Sequence, residues 1–258
     1  MQKDQTIAIV VIVLLVGGFL GLVVWSNSKN KNSEEMAYDQ NSQSGDNSPV
    51  EEESQVLSEN TTPTPETTPN TDQMANAKMT VEEKLAVKAP TTKLEAGKDY
   101  KVVLNTSEGK IIIDLNEKET PITANNFAYL SEMGFYNDVI FHRVIEGFMI
   151  QSGDPLGSGM GGPSYKFNDE KFEGEYSKGT VAMANSGPNT NGSQFFIMHA
   201  DYPLPKDYVI FGKVSEGLDV VDKIATAKVA SNAFGEASTP ANPVKILDVE
   251  VQKVPVTE

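Results

Sequence analysis

Tyr100-Lys101-Val102-Val103-Leu104-Asn105-Thr106-Ser107-Glu108-Gly109-Lys110-Ile111-Ile112-Ile113-Asp114-Leu115 decides the fold. Two runs rich in Val, Ile and Leu flank Ser107-Glu108-Gly109. Branched side chains suit a pleated, half-buried surface, and a glycine lets the chain reverse, so the stretch predicts a β-hairpin. Short apolar runs follow at Val139–Val144, Phe148–Gln151, Thr180–Ala184, Gln194–Met198 and Val209–Val214, and Val244–Val251 alternates as a closing strand. Glycine-rich loops separate them. Thr120 as N-cap and Pro121 in the first turn predict a helix with Ile122, Asn126, Phe127, Leu130 and Met133 on one face, stopped by Gly134. Leu218–Ala225 reads as a second, amphipathic helix. Many short strands with few helices predict a mainly-β fold, a closed barrel capped by two α-helices, because closure removes exposed strand edges.

This pattern begins near residue 99; what precedes it differs. Ile7–Trp25 contains no charged residue. At about 1.5 Å per residue such a helix spans a bilayer core, and Trp25 lies where an interfacial aromatic belongs. Residues 1–28 are therefore expected to be a single-pass membrane anchor, with a signal sequence cleaved near Ser26-Asn27-Ser28 as the alternative. Between Lys31 and Lys78 there are ten acidic residues and no basic ones. This Ser/Thr/Pro-rich tract has too little apolar surface to offset ordering entropy, so 29–98 is expected to be a disordered linker and 99–258 the folded domain. Lys3 before the apolar run and Lys29 and Lys31 after it leave the charge rule undecided. The acidic linker favours a domain on the extracytoplasmic side of the cell membrane, or a secreted one if the signal is cleaved.

Composition excludes several chemistries. Net charge is −15, with no basic cluster, which argues against nucleic acid. There is no cysteine, hence no disulfide or thiolate chemistry. His142 and His199 are the only histidines and lack metal-site spacing, so no metal and no cofactor are expected. Gly157-Ser158-Gly159-Met160-Gly161-Gly162 matches a dinucleotide fingerprint, but Pro163 follows where a helix should begin. Ser193 has no recognisable base beside it. A structural, hydrogen-bonded role suits His142.

What remains is the chain's single arginine, Arg143, among twenty lysines. Lysine supplies charge anywhere; arginine adds a planar fork of donors. Near it stand Phe148, Met149, Gln151, Gln194 and Phe196. On a strand Met149 and Gln151 share a face, as do Gln194 and Phe196. An apolar pocket with amides and a guanidinium suits a neutral peptide.

Phe141-His142-Arg143, Gly147-Phe148-Met149, Gln151-Ser152-Gly153-Asp154, Phe211-Gly212-Lys213-Val214-Ser215-Glu216-Gly217 and above all Met183–Ile197 resemble the cyclophilins, the peptidyl-prolyl cis-trans isomerases. The resemblance runs from about Tyr100 to Lys253. It implies an eight-stranded antiparallel barrel with two capping helices, and catalysis of X-Pro rotation without cofactor. It makes Arg143 the catalytic residue and Phe148, Met149 and Phe196 the proline pocket, with Leu204 as a further apolar wall. Gln151, Gln194 and Asn185 would hold the substrate backbone, with Ala184, Ser186 and Gly159 beside them. Pro203 stands where many members have tryptophan, which weakens the expectation of tight cyclosporin binding, and Tyr208 stands where many have histidine. Expected partners are proline-containing peptides, unfolded or nascent proteins, and the membrane through the N-terminal helix; the expected state is a monomer. The alternative reading is a module that binds proline peptides with little turnover.

Overall fold

A computed structural model describes residues 78–255. The expected anchor and the linker up to residue 77 lie outside the described residues. Among those described, no helix is long and apolar enough to cross a membrane. The last part of the expected linker is ordered. Thr80 caps α1 (Val81–Ala86), accepting from Glu83 N–H at 3.2 Å, while Glu83 Oε2 accepts from Thr80 N–H at 2.7 Å. Lys84 and Val87 are buried against the domain, and Ser164 N–H and Oγ donate to the Val87 carbonyl at 3.1 and 2.7 Å. Composition misjudged 78–97 because anchoring rests on a few apolar and backbone contacts with residues far along the chain.

The hairpin forms as expected. Strands β1 (Lys98–Thr106) and β2 (Gly109–Leu115) pair from Lys101↔Asp114 to Thr106↔Gly109. Thr106 closes the turn through its hydroxyl, and Gly109 takes φ +137° where an added Cβ would lie 2.7 Å from Val220 Cγ2. The other strands are β3 (Arg143–Ile145), β4 (Met149–Ser152), β5 (Thr180–Met183), β6 (Phe195–Met198), β7 (Ile210–Glu216) and β10 (Ile246–Pro255). With β1 and β2 they make one curled antiparallel sheet, ordered β10-β1-β2-β7-β5-β6-β4-β3. The expected closed barrel is thus incomplete as a ladder. At the seam between β3 and β10 there is one isolated bridge, Ile140↔Lys245, with backbone bonds from Phe141 N–H to the Val244 carbonyl and from Ile246 N–H to the Val139 carbonyl. The run Val139–Val144 spends its first half on this seam and only its last residues on β3. A second sheet, β8 (Val229–Ser231) paired with β9 (Ala237–Pro240), was not foreseen.

Helices α2 (Pro121–Glu132) and α3 (Leu218–Ala225) flank the sheet. Thr120 does not cap α2; its hydroxyl donates to the Asn116 and Ile210 carbonyls. Glu170 caps instead, accepting from Ile122 N–H (3.0 Å), Thr123 N–H (2.6 Å) and Thr123 Oγ1 (2.6 Å). Ile122 is exposed, so the buried stripe of α2 is centred on Phe127 and Leu130 with Thr123, Ala124 and Asn126. Asn126 is satisfied there by the Gly192 carbonyl and the Tyr165 hydroxyl. Gly134, at φ +72°, ends the helix region as expected.

Strand alternation sorts side chains onto two faces. Val144, Ile150, Val181, Met183, Phe195 and Ile197 join the main core with the helices. Met149, Ala182, Phe196 and Met198 build a separate apolar cluster on the other face. In β6 every residue is buried, so burial alone does not tell the faces apart; the period of two does.

Candidate active site

The second face carries the site. Register places Arg143 opposite Gln151, Gln151 opposite Phe196 and Phe196 opposite Ala182, one row across four strands. A parallel row runs from Ile145 through Met149 to Met198. Because these side chains share a pleat face, a guanidinium, an amide and an aromatic ring come together without any loop to place them. Loops supply the rest of the wall: Phe148 before β4, Ala184 after β5, and Leu204 and Tyr208 before β7 pack in the same cluster. Phe196 meets Tyr208 edge-on with ring centroids 5.7 Å apart, and Phe148 packs on Tyr202 at 4.6 Å. Tyr176 donates its hydroxyl to the Tyr208 carbonyl at 2.8 Å, fixing that loop. Burial, with Asp207 adding to it, raises the Tyr208 phenol pKa against the opposing charge of Arg143.

Arg143 is largely buried. Nη1 lies 3.4 Å from Gln151 Oε1 and 3.8 Å from Met149 Sδ, and its Cζ lies 6.0 Å from the Phe148 ring centroid. Nε and Nη2 donate to Glu236 at 2.8 and 2.7 Å. Gln151 Nε2 donates to Gln194 Oε1 at 3.0 Å, and Gln194 Nε2 to the Gly161 carbonyl at 2.9 Å. An amide chain therefore runs from the guanidinium to the glycine-rich loop.

Beside the apolar cluster lies a pocket lined by Gln151, Gly159, Ala184, Asn185, Ser186 and Gln194, together with Lys166, Thr190 and neighbouring glycines. Every one of the twelve residues singled out from sequence lies in the apolar cluster, in this pocket, or, for Arg143, between Gln151 and Phe148. Gln151 and Ala184 join the two parts. Asn185 spends its side chain on the protein, Nδ2 donating to the Asp207 carbonyl at 2.8 Å and Oδ1 accepting from Gly187 N–H. The glycine-rich loop is not a nucleotide fingerprint: it folds around the Asp154 carboxylate, which accepts from the backbone N–H of Leu156, Ser158, Gly159 and Met160 and from Ser158 Oγ. A Cβ at Gly161 would sit 2.0 Å from Asp154 Oδ1. Burial acts to raise the Asp154 pKa, and these donors with nearby His142 bring it below the ordinary value.

The hydrogen-bonded role expected of His142 needs amendment. His142 has no hydrogen-bond partner for either ring nitrogen among the described residues, and burial lowers its pKa. Ser193 has a purely structural bond, Oγ to the Gly153 carbonyl at 2.6 Å. Glu236, Lys166 and Thr190 were missed. The turn signal Asn232-Ala233-Phe234-Gly235 between two extended runs was available for Glu236, but nothing local links it to Arg143, 93 residues earlier.

A family profile described as "Cyclophilin type peptidyl-prolyl cis-trans isomerase/CLD" matches residues 101–251. Peptidyl-prolyl cis-trans isomerase-like 1 of Aspergillus fumigatus is 44% identical over 156 residues, 58% of this chain and 94% of that protein. Human peptidyl-prolyl cis-trans isomerase-like 3 is 42% identical over 165 residues, 61% of this chain and 99% of its own length. The crystal structure of a Cryptosporidium parvum cyclophilin in the presence of the dipeptide Ala-Pro superposes with TM-score 0.53 at 36% identity, covering 61% of this chain and 99% of that one.

Proposed function

The chain belongs to the cyclophilin-type peptidyl-prolyl cis-trans isomerases, and we propose that Arg143 is the catalytic residue by which it accelerates X-Pro rotation. The observation that carries this assignment is the row Arg143–Gln151–Phe196, which sets the only arginine of the chain beside an apolar pocket.

The prolyl amide resists rotation by about 18–20 kcal/mol because its C–N bond has double-bond character. The enzyme has to favour the twisted amide over both planar forms. Phe148, Met149, Phe196, Leu204 and Tyr208 hold the proline ring. Twisting gives the proline nitrogen a lone pair, and Arg143 Nη1, on the edge facing Met149 and Gln151, donates to it. No such acceptor exists in the planar ground state, so the interaction lowers the barrier rather than KM alone. A reduction of about 7 kcal/mol corresponds to roughly 10⁵-fold acceleration. Gln151, Gln194 and the backbone at Asn185 align the client on either side of the bond.

Substrates are proline-containing segments of unfolded or nascent proteins; the Ala-Pro dipeptide present with the Cryptosporidium relative supports that class. Ile7–Trp25 serves as a retained anchor, with the isomerase domain on the extracytoplasmic side. The support is compositional: an uncharged apolar run and an acidic tract after it. Protease digestion of intact cells tests the topology, since a cytoplasmic domain would be protected. The catalytic assignment is tested by isomerisation of an Ala-Pro peptide with the full chain and its Arg143→Ala variant; turnover surviving in the variant would overturn it.

A further inference from the structure

The catalytic assignment leaves one feature unexplained: the guanidinium of Arg143 is already gripped. Glu236 holds it side-on at two points, Oε2 accepting from Nε at 2.8 Å and Oε1 from Nη2 at 2.7 Å. The side chains are 10% and 14% exposed, so the pair is not a solvent-screened surface bridge. Glu236 is itself built in. Its N–H donates to Asn232 Oδ1 at 3.0 Å, its carbonyl accepts from Asn232 N–H at 2.8 Å, and Gly235 at φ +81° makes the tight turn between β8 and β9. The hairpin thus presents a carboxylate at a fixed place.

The geometry separates the two edges of the guanidinium. Nε and Nη2 face Glu236; Nη1 faces Met149 and Gln151, the side of the proline pocket. Glu236 therefore grips the edge remote from the substrate and leaves the other free. The Nη1 contacts, 3.4 Å to Gln151 and 3.8 Å to Met149 Sδ, are long and weak by comparison. Without Glu236 nothing strong would orient a side chain with so many rotatable bonds. A donor that must meet a lone pair present only in the twisted amide gains from being aimed beforehand.

We propose that Glu236 is a positioning residue for prolyl isomerisation, clamping Nε and Nη2 of Arg143 so that Nη1 is the donor offered to the proline nitrogen. This inference rests on the catalytic role given to Arg143.

The single arginine makes the clamp directly visible: a ¹⁵N spectrum of the full chain in mild detergent contains one arginine Nε–H signal. In the wild type that proton should be shifted downfield and slow to exchange. In Glu236→Gln, which keeps the size and one acceptor, the signal should move to an unclamped position. kcat for an Ala-Pro peptide should fall about 10- to 100-fold while KM stays within about twofold. Glu236→Asp should retain more activity than Glu236→Gln, because the charged two-point acceptor survives. Phe234→Ala, at the exposed tip of the same hairpin, should match the wild type, which controls for hairpin disruption. Unchanged or higher kcat in Glu236→Gln would overturn the inference, as would an arginine signal unaffected by that substitution or an equal loss in Phe234→Ala. The two readings fail separately. Full activity in Arg143→Ala would remove the catalytic assignment, whereas an inactive Arg143→Ala beside a fully active Glu236→Gln would remove only the clamp.

Discussion

Arg143→Lys keeps the charge and discards the fork. Arg143 makes contacts on two edges at once, Glu236 on one and Gln151 and Met149 on the other. An ammonium is a compact point charge, and the nearest strong acceptor is the Glu236 carboxylate. It will settle there and leave the proline nitrogen without its donor. Losing one transition-state donor of this kind costs about 2.7–4 kcal/mol, or 10²–10³-fold in rate. kcat/KM for an Ala-Pro peptide should therefore fall by that factor in Arg143→Lys, and at least as far in Arg143→Ala. The two variants should differ in stability. Lysine still pairs Glu236, whereas alanine leaves a mostly buried carboxylate with only the long Asn232 Nδ2 contact at 3.5 Å, a cost of about 1–3 kcal/mol. At about 2–4 °C per kcal/mol for a domain of this size, Arg143→Ala should melt several degrees lower, and Arg143→Lys close to the wild type. Isomerisation followed by magnetisation exchange at equilibrium, together with thermal melts, measures both. Near wild-type kcat/KM in Arg143→Lys would refute the reasoning, because charge alone would then suffice.

Other outcomes follow from the same structure. Glu170→Ala removes three hydrogen bonds from the start of α2 and should cost about 1–2 kcal/mol, visible in a denaturant melt, with kcat unchanged. The Asp154 carboxyl has a folded pKa below its unfolded one, so its contribution is present above about pH 3.9 and is lost as pH falls through the lower folded value. The stability gap between wild type and Asp154→Asn should accordingly shrink as melts are taken from about pH 5 to about pH 2. A chain beginning at Thr91 lacks α1 and buried Val87; burial of a valine is worth about 1.5–3 kcal/mol, so its melting temperature should lie below that of a chain beginning at Lys78.

Local periodicity made the strands legible, and with them most of the site. Met149 and Gln151 alternate with Ile150, and Phe196 alternates with Phe195 and Ile197, so the pleat itself divided the core from the substrate face. Arg143 stood out because nothing else in the chain supplies its geometry. The parts that escaped reading depend on partners far away in sequence. Glu170 caps a helix that begins 49 positions earlier, so Thr120 took the role on local evidence. Ile122 belongs to the helical pattern but sits in the first turn, on its solvent side. Glu236 lies in a short, mostly exposed hairpin whose composition resembles any surface loop, and only the fold brings it to Arg143. The same holds for 78–97, where polar composition masked a docked segment.

That docked segment decides where a mechanical load enters the domain. A pull on the chain upstream of Lys78 reaches α1 first, through the Lys78–Asp138 ion pair, buried Lys84 and the Val87–Ser164 contacts. Strand β1, paired on both sides by β2 and β10, is reached only after these have given way. Tension on that side should therefore peel α1 from the domain before it loads the β1 pairings, and because α1 docks on Asn137 and Asp138, the segment it leaves is the one that leads into β3 and Arg143.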